Sequence, residues 1–406
     1  MIKLGLIKEN KLPADRRVAF TPEQCVAIMS EYSNLHIVVE PSPDRVFSDD
    51  SYRNLGVDVQ DDLSDCHLLL GIKEVPPEFL IDGKTYLFFS HTIKKQEHNR
   101  NLLKSILQKN IRLIDYECLV WPNGQRVLGF GRYAGLVGTY EMLKALGIKT
   151  NRFSIKPCYD AANYEEIKNI LLSIEGMIKQ GRHKVVVAGG GRVVAGALEI
   201  LDVLSLKKVD HEEFLNQTFQ ETVYVHLDNH QLYQRKDEQS WNHDHFFKNH
   251  KDYKSTFEPY TLVADILVNG VFWEPAMPRH FSKRDTANPG FSIKLIADIS
   301  CDIEGSVPIT LYDTHPDNPV MGWDPVKQAE CPPYTPDSID ILAVSNLPSE
   351  LPADASEGFG SDLMRSVLPE LLNPQSDMIK NATLCAEGKL TEKFGYLTDY
   401  VENNKL

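Results

Sequence analysis

Residues 184–201, KVVVAGGGRVVAGALEIL, decide the fold. Val185, Val186, Val187 and Ala188 form a short, apolar, mostly β-branched run, the pattern of a strand covered on both faces. Gly189, Gly190 and Gly191 follow at once, and then a helix-period segment with Ala197, Leu198, Ile200, Leu201 and Leu204 apolar. Strand, glycine turn and helix in that order bring backbone N–H groups close to a pyrophosphate at a helix N-terminus. Asp210 falls about twenty residues on, near the end of a possible next strand, where a carboxylate takes adenosine ribose hydroxyls. Val194 stands where the pattern has its third glycine, and Gly196 comes two residues late, which predicts looser packing of helix on strand. A glycine-rich β–α turn that binds nothing has the same local look.

Working outward, 406 residues are too many for one compact domain and enough for two good cores. The formal charge of −14 is spread without an acidic tail or a basic block, which argues against nucleic acid and anionic membranes as partners. No apolar run is long enough to span a membrane, and the opening MIKLGLIKEN reads as a first strand rather than a signal peptide. The seven cysteines are scattered, with no CxxC pair. That opposes a disulfide framework or a zinc site and suits a reducing cytoplasm.

In the N-terminal part, Ile2–Ile7 reads as a strand, and Asp15-Arg16-Arg17 lies in the loop after it. Thr21 and Pro22 look like the N-cap and first position of a helix ending near Glu31. Ile37–Glu40 reads as a strand and Asp49–Leu55 as a short helix. The strands His67–Lys73 and Thr85–His91 end on a lysine and a histidine. In open α/β sheets ligands sit outside such carboxyl edges. A solvated lysine or a satisfied core histidine explains either residue taken singly; together, and near Arg17, they point to a site. Ile111–Glu117 is a further strand. RVLGFGRYAG (126–135) leads into an apolar helix, to be ended by Gly147, and reads as the connection between two domains.

Beyond Asp210 the pattern weakens. Glu221–Leu227 alternates as a strand, and 228–259 reads as a polar, aromatic loop. Its His243, His245 and His250 invite a metal reading but lack acidic partners at ligand spacing, so no metal is expected. Buried strands follow at Ala264–Gly270 and Lys294–Asp302, and Leu342–Ser345 precedes a tight turn at Asn346-Leu347-Pro348. Helices near 354–373 and 376–403 close the chain.

Several blocks carry a resemblance: GIKEVP (71–76), KTYLFFSHTIKKQ (84–96), IRLIDYE (111–117), RVLGFGRYAG (126–135), LVNGVFWE (267–274), ADISCD (297–302) and SNLPSELP (345–352). In order and over nearly the whole chain they resemble saccharopine dehydrogenase, L-lysine-forming, and most of all the lysine–2-oxoglutarate reductase half of the bifunctional lysine-degrading enzyme. Alanine dehydrogenase and the nucleotide-binding transhydrogenase subunit are more distant kin in fold. The late Gly196 also matches the reductase branch. Val193 and Gly270 stand where a fungal lysine-forming enzyme has a cysteine pair, so that disulfide is absent here.

The resemblance implies an α/β protein of two Rossmann-like domains with parallel sheets and an interdomain cleft. Residues 1–137 plus 347–406 would form the substrate domain and 138–346 the dinucleotide-binding domain. It implies interconversion of L-saccharopine with L-lysine and 2-oxoglutarate through an imine, with NAD(H) or NADP(H) as cofactor. By the same likeness Lys73 and His91 are the acid–base pair. Arg17, Lys94, Gln96, Arg126 and Phe130 bind substrate, and Glu117 tunes the cationic cluster. Gly189, Gly191, Arg192, Asp210, Ile299, Ser345, Asn346, Leu347 and Pro348 contact the nucleotide, with Asp302 near its nicotinamide end. The oligomeric state is left open.

Physical chemistry supports these roles independently. Saccharopine has three carboxylates, so its pocket needs several fixed cations, for which arginine is suited. Imine chemistry needs proton transfers near neutrality, which histidine performs unperturbed. Lysine needs its pKa lowered, and crowding by Arg17, Lys94 and Arg126 would lower it. Asp210 favours NAD, whereas Arg192, Lys207, Lys208 and the reductase likeness favour NADP; on balance NAD is the expected cofactor. An alanine dehydrogenase-like enzyme would use a similar Lys–His pair on a small keto acid. A non-catalytic dinucleotide-binding or transhydrogenase-like subunit would need neither residue.

Overall fold

The computed structural model describes residues 1–10 and 14–402. By contact the chain divides into two compact units, Met1–Gly129 with Pro352–Leu406, and Phe130–Leu351. Each is built on a mixed, mostly parallel sheet of eight strands.

The first unit opens with β1 (Ile2–Leu6), β2 (Leu35–Val39), β3 (Asp58–Val59), β4 (Leu68–Leu70), β5 (Thr85–Phe88) and β6 (Arg112–Asp115). They pair in parallel in the order β6-β5-β4-β1-β2-β3. The order reverses at β1, with β2 and β3 on one side and β4 to β6 on the other. Helix Pro22–Glu31 starts as expected: Thr21 accepts the Gln24 N–H, and the Gln24 side chain accepts the Thr21 N–H.

The second unit contains β7 (Lys184–Gly189), β8 (Lys207–Lys208), β9 (Val223–Leu227), β10 (Tyr233–Arg235), β11 (Tyr253–Ser255), β12 (Ile266–Gly270), β13 (Leu295–Asp298), β14 (Val320–Asp324), β15 (Ala329–Cys331) and β16 (Ile339–Leu342). The main sheet runs β15-β14-β16-β13-β12-β7-β9-β8 and reverses between β7 and β12. The β10–β11 pair stands apart as an antiparallel hairpin. Segment 228–259 is therefore not a loop. Tyr233, Phe246, Tyr253 and Phe257 bury there in the unit's core, a packing that polar flanking residues conceal in the sequence. His250 is buried as well, and no group of three or more candidate ligands gathers among the described residues.

Two glycine expectations change. Gly147 does not end its helix, which runs Gly131–Thr150 and stops at Asn151 in the left-handed region, φ 51°. Gly147 is small because Phe153 lies on it: a Cβ would stand 2.7 Å from that ring. Val194 does not loosen the glycine-turn helix, Gly191–Val203, because the missing hydrogen atom is found on β12. A Cβ at Gly270 would meet Val194 Cγ2 at 2.9 Å. Gly196 serves another contact, the crossing with helix Gly131–Thr150, where its Cβ would strike the Arg132 carbonyl oxygen at 2.0 Å.

The chain then returns to the first unit. Helix Pro352–Asp362 continues through a π-turn at Leu363–Val367 into Leu368–Leu371. The expected helix over 376–403 is broken. Only Asp377–Ala382 and Thr398–Glu402 are α-helical, with β17 (Thr383–Ala386) and β18 (Lys389–Leu390) between them, and residue 403 lies outside the described residues. Glu387 and Gly388, at φ 52° and 72°, make the tight turn joining the two strands. These strands make the first sheet mixed, β17 pairing antiparallel with β6, as β14 and β15 do the second.

Candidate active site

In the first unit four neighbouring parallel strands end on titratable residues. Glu9 follows β1, Lys73 and Glu74 follow β4, His91 follows β5, and Glu117 follows β6. Parallel pairing with a common direction places all of them at one carboxyl edge.

His91 takes a left-handed backbone, φ 50°, which is uncommon without glycine. Its Nδ1 lies 2.7 Å from Glu74 Oε1, a carboxylate that is itself buried. The imidazole stacks over Phe89, ring planes 17° apart, and Phe89 and Tyr116 both pack on Phe359. This apolar floor follows from the inward-facing residues of β5 and β6.

The loop after β1 holds a buried ion pair. Arg17 donates to Asp15 Oδ1 from Nε at 2.9 Å and to Oδ2 from Nη2 at 2.5 Å. Burial alone would raise the Asp15 pKa, but the Arg17 guanidinium and then Lys73 hold it down at about 2. Arg17 is thus buried against its own loop rather than presented outward. Lys94 and Gln96 are exposed, on a segment that Tyr396 ties down through the Ile93 carbonyl at 3.1 Å. Glu117 Oε1 is 3.1 Å from Arg126 Nη2, with the carboxylate buried and the guanidinium half exposed. Beneath them burial raises the Asp115 carboxyl to about 6, although Ser90 and the Glu117 N–H donate to it.

In the second unit, the glycine turn sits where the strand order reverses. Gly189 has φ 110°, and a Cβ there would press on Gly270 at 2.8 Å. Gly191 has φ 73° with open space where a Cβ would point. Arg192 is half-buried at the start of the helix, beside Gly131. Ile299 follows β13 and, with Leu347, packs against Gly138. Asp302 lies in the turn beyond, its carbonyl accepting the Gly305 N–H at 2.8 Å. Ser345 and Asn346 are exposed after β16, Asn346 at φ 63°, while Leu347 and Pro348 are buried. Phe130, partly buried, immediately precedes helix Gly131–Thr150.

Asp210 is not brought to this turn. It ends the edge strand β8 and caps helix His211–Asn216, accepting the Glu213 N–H at 2.8 Å. The strand beside β7 is β9, and the carboxylate at its end is Asp228. A Cβ on Gly190 would lie 3.0 Å from Asp228 Oδ1, and His226 Nε2 is 2.9 Å from the Gly189 carbonyl oxygen. Sequence reasoning missed Asp228 because it counted residues from the glycines rather than asking which strand pairs with β7. Its signal was an acid directly after the alternating run ending at Leu227. Glu9 and Glu74 were missed too, each an acid just beyond a short apolar strand.

Comparison with known proteins now bears on this arrangement. Residues 5–137 match the family model described as Alanine dehydrogenase/PNT, N-terminal domain. Alpha-aminoadipic semialdehyde synthase of Arabidopsis thaliana is 29% identical over 447 aligned residues, covering 99% of this chain and 42% of that protein. Saccharopine dehydrogenase [NAD(+), L-lysine-forming] of Emericella nidulans is 25% identical, covering 90% of this chain and 91% of the relative. A solved L-alanine dehydrogenase superposes with a TM-score of 0.60 at 15% identity, over 96% of this chain and 97% of the other. The chain is thus similar to that family over residues 5–137 and to these relatives along nearly its whole length. It spans less than half the length of the semialdehyde synthases it matches. The chain has the fold of that solved alanine dehydrogenase, two Rossmann-like domains. No helix of the described residues is long and apolar enough to cross a membrane.

Proposed function

We propose that this chain is a member of the alanine dehydrogenase–transhydrogenase superfamily and an NAD(P)-dependent oxidoreductase interconverting L-saccharopine with L-lysine and 2-oxoglutarate through an imine. The observation that carries the reading is the Lys73–His91 pair at the ends of adjacent parallel strands, His91 held by Glu74 at 2.7 Å. Its support from kinship is the run of relatives named for saccharopine or aminoadipic semialdehyde chemistry along nearly the whole chain.

In this reading His91 and Lys73 exchange protons with the amine and the hydroxyl of the condensing substrates. Glu74 accepts the hydrogen bond of His91 Nδ1–H and so keeps the proton on Nδ1, leaving Nε2 to accept and give a proton. Arg126 and Lys94 bind substrate carboxylates, Gln96 and Phe130 line the substrate, and Glu117 orients Arg126. Arg17 acts through Asp15 as part of the cationic surroundings of Lys73.

The second unit fits a dinucleotide: Gly191 leaves open space beside backbone N–H groups, and Asp228 offers a carboxylate at the turn. Gly189, Gly191, Arg192, Ile299, Asp302 and Ser345–Pro348 would hold it, and Asp228 takes the ribose role expected of Asp210, which favours NAD. When bound, the nicotinamide supplies or takes the hydride. A reducing, cytoplasmic setting agrees with seven free cysteines.

The test is oxidation of NADH and of NADPH with L-lysine plus 2-oxoglutarate, alongside pyruvate plus ammonium. Turnover with the first pair, faster with NADH, supports the proposal. Turnover confined to pyruvate and ammonium, or none, overturns it.

A further inference from the structure

One carboxylate is shared by the two backbone N–H groups that follow β4. Ile72 donates to Glu9 Oε1 at 2.6 Å, and Lys73 donates to Glu9 Oε2 at 2.9 Å. Glu9 follows β1, and β1 and β4 are the neighbours between which the strand order reverses. A crevice at such a point receives ligands in open α/β sheets, yet this acid is turned onto the backbone. Gly71 makes room for Ile7 beside it, and Glu9 lies just beyond. A Cβ there would stand 3.4 Å from Glu9 Oε1 and 2.8 Å from Ile7 Cδ1.

We propose that Glu9 is a positioning residue for Lys73, fixing the peptide that carries it and linking it to a buried group of titrating side chains. This rests on the reading of Lys73 as an acid–base group. A lysine side chain has four rotatable bonds, so its amine is only as well placed as the backbone beneath it. Two hydrogen bonds to successive N–H groups hold that backbone against both rotation and peptide flip.

The groups facing Glu9 come from three places. Asp15 and Arg17 lie in the loop after β1, Lys73 follows β4, and Tyr116 follows β6. Burial, and then Asp15, push the Glu9 carboxyl up to about 8, while the two N–H groups and Arg17 pull it down. Burial and the charge of Glu9 hold the Tyr116 phenol well above its ordinary range, and its hydroxyl has no hydrogen-bond partner among the described residues. Asp15, held at about 2 against burial by Arg17, keeps its charge throughout. Glu9 therefore changes its charge just above neutrality. Once ionised it tightens the clamp and favours the ammonium form of Lys73.

Three variants of the whole chain test this. Glu9→Gln keeps the size but offers one oxygen to two N–H groups. Glu9→Asp keeps both oxygens on a shorter stem. Gly71→Ala leaves Glu9 in place but drives a Cβ against Ile7, disturbing the backbone that leads into Ile72. In Glu9→Gln, hydrogen exchange at the Ile72 and Lys73 amides is expected to accelerate about ten- to a hundredfold. Turnover with L-lysine plus 2-oxoglutarate is expected to fall about tenfold, with the KM for the nucleotide unchanged. An inflection near pH 8 should vanish from two profiles, kcat and the reactivity of Lys73 toward acetic anhydride. Glu9→Asp should restore part of the loss, and Gly71→Ala should speed the same two amides while keeping the inflection. Parent-like exchange and an unaltered Lys73 labelling profile in Glu9→Gln would overturn the inference. If Glu9→Gln fails to fold, exchange in Gly71→Ala decides. A parent that does not turn over lysine sinks the proposed reaction instead, and exchange and labelling still judge Glu9.

Discussion

Glu74 and His91 follow different strands, yet their side chains meet at 2.7 Å, carboxylate to Nδ1. A carboxylate on Nδ1 selects the tautomer in which Nε2 exchanges the proton. Glu74→Gln is expected to lower kcat about ten- to a hundredfold, the scale of one lost charge-assisted hydrogen bond, without moving the KM for the nucleotide. His91→Gln should cost more, about 10²–10⁴-fold, as for an acid–base group. Steady-state kinetics on both variants checks the ranking; Glu74→Gln at parental rates would remove the pairing from the mechanism.

Asp228, not Asp210, is expected to set the choice of cofactor. A carboxylate at the glycine turn repels a 2′-phosphate and accepts ribose hydroxyls. Asp228→Ala should shift the NADH-to-NADPH ratio of kcat/KM toward NADPH by at least about tenfold. Asp210→Ala should leave that ratio alone and instead cost about 1 kcal/mol of stability through its lost helix cap. Measuring both ratios and both melting curves separates the two acids.

The helix crossing at Gly196 makes a purely structural prediction. A Cβ 2.0 Å from the Arg132 carbonyl oxygen cannot be accommodated without parting the helices. Gly196→Ala should destabilise by about 1–3 kcal/mol or more, lowering Tm by at least roughly 2 °C. Gly176 is the control. It is also helical, but nothing lies within 4 Å of its added Cβ, so Gly176→Ala should stabilise by about 0.5–1 kcal/mol.

Glu350 should make stability depend on pH. It is 3% exposed, neither oxygen has a hydrogen-bond partner among the described residues, and burial followed by Glu141 raises its pKa to about 8. Between the unfolded value near 4.5 and the folded value near 8, the folded chain holds a proton that the unfolded chain has released. The contribution is fully present below about 4.5 and is lost as pH rises through this window, by up to about 1.4 kcal/mol per pH unit. Denaturant unfolding of Glu350→Gln against the parent should show the variant gaining relative stability from pH 5 to 8. Parallel curves would mean that Glu350 is not protonated in the folded chain.

Period and apolar runs made most strands legible, together with helix Pro22–Glu31, because buried parallel strands and N-caps are local signals. Lys73 and His91 were legible for the same reason, as the last residues of such runs. Asp228, Glu9 and Glu74 were not, since their meaning depends on which strands are neighbours. The burial of Arg17 against Asp15 was not legible either, because two charges two residues apart in a loop give no periodic signal of being enclosed. The aromatic core under 228–259 was hidden because its residues recur at no helix or strand period.

The pairing of β17 with β6 also carries a cost in time. Arg112 and its partner Thr383 are separated by 271 residues. On a ribosome adding about 5–20 residues per second, β6 stays open-edged for roughly 15–50 s while the whole second unit emerges. That second unit is continuous in the chain and can complete itself meanwhile, but the first is left displaying an unpaired edge, a template for association with other nascent chains. Chains halted before Thr383 should therefore accumulate in chaperone complexes or aggregates.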